Sequence, residues 1–127
     1  MSVPEPTMIG LSERVHALLT RMKEDGHFNE MADGYRIGIA LALAHGAQPG
    51  DVPAPRKTVF SVATIDPDQE IATSIRSLCQ LEGASVYKTA ERLAEWGVSE
   101  LSARFETGPI DVSALIAQVH SNAQSER

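Results

Sequence analysis

The sequence predicts a mainly helical protein with one or two short β-strands, and three observations carry that expectation. Aromatic residues make up only 5% of a chain that is 43% hydrophobic, so the core must be aliphatic and Ala-rich, which suits helices better than a large sheet. Several stretches repeat apolar residues at helical spacing, while Lys57 to Ile65 (KTVFSVATI) gives the one strong strand signal. At 127 residues the chain suits one compact domain or one and a half.

Residues 1–6 hold two prolines and should be irregular. Thr7 to Leu11 (TMIGL) is short, partly β-prone and followed at once by a helix start, with Ser12 as N-cap and Glu13 behind it. Val15, Leu18, Leu19 and Met22 fall at i, i+3, i+4 and i+7, an amphipathic helix to about Glu24 that Gly26 ends. A second helix is expected from Asn29, as N-cap, to Gly46, where a left-handed C-cap is wanted. Its Met31, Tyr35, Ile37, Ile39, Leu41 and Leu43 point in nearly every direction, so it should be buried on most faces. A second copy of the chain is one source of that cover; the other reading is the central helix of a monomer. Gly34, Gly38 and Ala42, four apart, form a smooth ridge against which another helix can lie closely. Asp33 and Arg36 within the helix argue against a bilayer.

Residues 47–57, with three prolines and a glycine, read as a linker between a region at 1–46 and a strand-plus-helical module at 58–127. The strand at 57–65 needs a partner: the N-terminal segment, a symmetry mate or another protein. Asp66-Pro67 opens a helix, with Asp68 and Glu70 in its first turn and Ile71, Ile75, Leu78, Cys79 and Glu82 on one face; Gly83 stops it. Ser85 caps the next helix, whose Val86, Ala90, Leu93 and Ala94 face a core and which should end at Trp96-Gly97. Ser99 begins a short helix with Leu101 and Phe105, TGPI turns the chain, and Asp111 caps a last helix with Val112, Leu115, Ile116 and Val119 inward. The final SNAQSER should fray. No internal repeat or low-complexity tract is visible in the residues themselves.

The order short strand, helix, glycine-marked turn, apolar helix within the first 46 residues resembles the ribbon-helix-helix family. That resemblance implies two chains pairing their strands into an antiparallel ribbon and interlocking four helices, giving a dimer core with an appended helical module. Together with the all-round apolarity of the second helix and its Gly34, Gly38 and Ala42 ridge, it puts the expected subunit interface at Met8, Ile9, Met31, Gly34, Tyr35, Gly38, Ile39 and Ala42. The family reads DNA with polar side chains on the outward face of the strand, but Thr7, Met8, Ile9 and Gly10 offer no Arg, Lys, Asn or Gln to a base edge. Candidate phosphate contacts are Thr7, Arg14, Arg21, Lys23, Arg36, Arg56 and Lys57, and the alternative for the basic ones is an ordinary solvated face.

Charge gives little support to a nucleic-acid partner. The formal net charge is −6, and both halves are mildly acidic: residues 1–50 carry 6 acidic and 4 basic side chains, residues 51–127 carry 11 and 7. The single cysteine, Cys79, fits a reducing cytoplasm, and MSVPEPTM has neither the charged leader nor the apolar core of a signal peptide. No apolar run approaches the roughly 20 residues that span a bilayer. Cys79 falls on an apolar helix face, where cysteines act as small hydrophobes. His16, His27, His45 and His120 never pair at i+4, and CxxC, GxSxG, Walker-type and GxGxxG patterns are missing. Asp66, Asp68 and Glu70 could hold a divalent cation, but helix capping alone predicts acids there. No catalytic residue, metal or cofactor is expected.

Three stretches, GLSERVHALLTRM, TVFSVATI and ERLAEWGVSEL, also resemble, in the same order, small proteins associated with bacterial DNA-phosphorothioation (Dnd) systems. This second resemblance implies a non-catalytic accessory protein of a DNA-modification or phage-defence operon. With the rest of the sequence it gives the expectation of a cytoplasmic adaptor partnered with itself, as a homodimer or higher oligomer, and with another protein. The alternative is a ribbon-helix-helix DNA-binding protein or transcriptional regulator.

Overall fold

A computed structural model describes residues 4–107. The order is β1 (Met8–Ser12), α1 (Glu13–Glu24), α2 (Met31–Ala44), β2 (Arg56–Ser61), α3 (Val62–Ile65), α4 (Glu70–Leu78) and α5 (Val86–Thr107). The molecule is mainly helical with one two-stranded antiparallel sheet.

β1 finds its partner within the chain. Ile9 lies opposite Phe60 and Leu11 opposite Lys57, with a register irregularity between Ile9 and Gly10. Gly10 is demanded by that irregularity: a Cβ there would sit 1.8 Å from the carbonyl oxygen of Lys57. Ser12 then caps α1, its hydroxyl accepting from the Val15 amide. β2 is built the same way. Ser61 ends the strand and its hydroxyl accepts from the Thr64 amide, so Val62–Ile65 becomes a helical turn and not the second half of a strand. Strand, serine cap and helices therefore occur twice in one chain, a repeat carried by backbone plan with no repeated residues beyond the two caps.

Three other element ends depart from the sequence expectation. One of them is the end of α4, which stops at Leu78 with Cys79 as its extended C-cap and does not reach Gly83. The N-cap position of α2 is Glu30, not Asn29, and it makes no side-chain cap bond. Asp66 does cap α4, but across a turn through left-handed Gln69: its carboxylate accepts from the amides of Ile71 and Ala72, and α4 begins at Glu70.

The largest departure is α5. Gly97 was expected to end a helix, yet α5 runs unbroken from Val86 to Thr107. Gly97 is interior because α2 crosses there: a Cβ on Gly97 would lie 1.7 Å from the Gly38 carbonyl oxygen, and one on Gly38 would lie 2.8 Å from Val98 Cγ2. A side chain on either residue would hold the two backbones apart. This crossing covers the middle of α2, while Leu19 and Phe28 cover Gly34.

One buried cluster joins Ile9 and Leu11 of β1, Val15 and Leu19 of α1, Tyr35, Ile39 and Leu41 of α2, Ile75 of α4, and Val86, Leu93, Val98 and Leu101 of α5. The Pro/Gly-rich stretch after α2 thus connects elements that share a core. The turn at TGPI and the last helix expected from Asp111 lie outside the described residues, as does His120.

Candidate functional site

The residues singled out as a subunit interface are mostly enclosed by their own chain. Ile9, Gly34, Tyr35, Gly38, Ile39 and Ala42 are buried, Met31 is half-buried, and only Met8 is exposed. Tyr35 shows why: its ring packs 4.9 Å from that of Phe60, and its hydroxyl donates to the Gly10 carbonyl at 3.0 Å. Burial, then the negative charge of Glu91, hold the Tyr35 hydroxyl well above its ordinary pKa, so it stays a neutral donor.

The candidate phosphate contacts divide into two groups. Arg36 is spent internally, donating to the carbonyls of Ile65 and Thr64 and pairing with Asp33. Arg56 grips both carboxylate oxygens of Glu91. Thr7, Arg14, Arg21, Lys23 and Lys57 are exposed, with Arg14 reaching Ser99 at 3.4 Å. Lys57 stands near His16, whose pKa is lowered by burial first and by the Lys57 charge second.

Two glutamates of α5, one turn apart, close the outer edge of β1. Glu91 Oε2 accepts from the Gly10 amide at 2.9 Å, and Glu95 accepts from the Ser12 amide at 2.9 Å and the Ser12 hydroxyl at 2.7 Å. A strand edge normally displays unpaired N–H groups to any passing strand; here carboxylates take them. Glu91 is 4% exposed and has Arg56 as counter-charge, and both of its carboxylate oxygens accept hydrogen bonds.

The N-terminus of α5 is capped from the far end of the chain. Glu5 accepts from the Ser85 hydroxyl and from the amides of Val86 and Tyr87. Partial burial pushes the Glu5 pKa up, but the Ser85 hydroxyl, the two amides and then Arg76 outweigh it, leaving the carboxyl below its ordinary value. Beside it, Tyr87 donates to Asp66 at 3.0 Å, and burial together with that bond pushes its pKa up to about 12.

An open groove of about 680 Å³ lies between the end of α2, the loop after it, the segment following α4, and α5. Leu43, Ala47, Pro49, Leu78, Leu81 and Leu93 supply its apolar lining, Leu78 being 39% exposed. Thr89, Arg92, Gln48, Gln80 and Glu82 supply polar groups. Cys79 also faces it, with a thiol pKa raised by burial, the opposite of what an activated nucleophile needs. Among the described residues no three His, Cys, Asp or Glu side chains gather as a metal site would require. The acids at Asp66, Asp68 and Glu70 do not converge: Asp66 is buried and bonded to amides and to Tyr87, while Asp68 and Glu70 are exposed.

Sequence reasoning missed Glu5, Glu91, Glu95, the Asp51–Arg92 pair and the groove. A signal existed for one of them. Glu91 sits between Ala90 and Leu93 on a face that must be inward, and a charge there asks for a buried partner. No helix among the described residues is long and apolar enough to cross a membrane. No protein-family model matches the chain, and neither a curated protein nor a solved structure matches it.

Proposed function

We propose that this chain is a non-catalytic accessory protein that works by binding another protein, as an adaptor in a bacterial DNA-modification or phage-defence system of the cytoplasm. The observation that carries the reading is how the surface is allotted. Two of the candidate phosphate contacts, Arg36 and Arg56, are held in intrachain bonds, and Glu91 and Glu95 line the β1 edge. The groove, by contrast, is open and partly apolar, with Leu78 exposed at its margin. Self-association through the middle of α2 would require α5 to leave it, so the adaptor acts through surfaces other than that crossing. Support for the phage-defence context is the likeness of three stretches to Dnd-associated proteins.

A second reading, DNA binding, has one specific observation in its favour. Two paired strands, each running into a serine-capped helix, with α2 and α5 crossing behind them, reproduce the parts of a ribbon-helix-helix core within a single chain. Fluorescence anisotropy of a labelled duplex, titrated at low and physiological salt, separates the two. No binding at low salt is the adaptor's result; binding that persists with a steep salt slope means several phosphate contacts and overturns it.

A further inference from the structure

We draw no further inference here: the strongest candidate, the outer edge of β2 at Arg56, Lys57 and Thr58, is exposed where Glu91 and Glu95 close the edge of β1, but it is short, charged and broken by the register irregularity, and nothing in the structure shows what covers it.

Discussion

Replacing Gly97 with alanine sets two effects of known size against each other. In a free helix interior, alanine is better than glycine by about 1 kcal/mol, so the substitution would stabilise an isolated α5. In this molecule the new methyl carbon would lie 1.7 Å from the Gly38 carbonyl oxygen and 2.7 Å from its Cα. Ordinary contact begins near 3.4 Å, so α2 and α5 must open by about 1.7 Å or shear past one another. The atom in the way is backbone on a second helix, which cannot swing aside as a side-chain tip can. Overpacking of this kind costs about 1–3 kcal/mol where neighbours can adjust, and the upper end applies where two helix backbones must separate. The net expectation is a loss of about 2 kcal/mol. Urea unfolding followed by far-UV circular dichroism measures it, with an unchanged slope required if the denatured state is unaffected. Gly50→Ala is the control, because a Cβ there meets nothing within 4 Å. If Gly97→Ala unfolds at higher urea than the parent, helix propensity has won and the close crossing is wrong.

Substitutions at three other positions probe the junctions that join distant parts of the chain. Glu91→Ala should cost about 3 kcal/mol, since it strands the Gly10 amide and the Arg56 charge. Glu91→Gln, which keeps an acceptor for Gly10, should cost clearly less in the same urea assay, and equal losses would mean that only charge matters there. Glu5 has a depressed folded-state pKa, so its contribution is complete above the ordinary value of 4.5 and is lost as pH falls through the folded value. Thermal scans on the acid side of pH 4.5 should therefore fall more steeply for the parent than for Glu5→Gln. Tyr35 carries the opposite sign: its raised pKa means a contribution complete below pH 10 and lost as pH rises through the folded value. Tyr35→Phe should lose about 1 kcal/mol at neutral pH through its bond to Gly10, yet show a shallower stability loss above pH 10.

Local chemistry was legible wherever a signal and its consequence were close in sequence. Ser12 reads as a cap and caps α1; Gly26 and Gly46 read as stops and adopt φ of +86° and +63°. The first strand was placed within a residue because the Ser12 cap fixes where it must end. Legibility failed where the partner is remote. KTVFSVATI alternates like a strand throughout, and nothing in it announces that Ser61 will bend the chain into a helical turn. Glu5 reads as an ordinary acid in a Pro-rich terminus, and its role depends on α5 ending up beside it 80 residues later. The groove was invisible for the same reason, being assembled from the end of α2, the segment after α4 and one face of α5.

The expected ending at Gly97 and the second copy of the chain invoked to cover α2 share one origin. An apolar pattern running all round a helix measures how much cover the helix needs, but not which segment provides it. Counting Gly97 as a terminator divided a 22-residue helix into two short pieces, neither long enough to cover α2. A second copy of the chain then became the natural supplier. Gly38 and Gly97 are reciprocal: each is small because the other's backbone occupies the space a side chain would fill. Together these two interior glycines cost about 2 kcal/mol of helix propensity relative to alanine. Such a cost points to a close backbone approach, and matching the two sites to each other would have joined α2 to α5. The same pairing moves the functional question. With Gly38 covered by α5 and Gly34 by Leu19 and Phe28, the open surface beside the crossing is the groove that Leu43 of α2 and Leu93 of α5 both line.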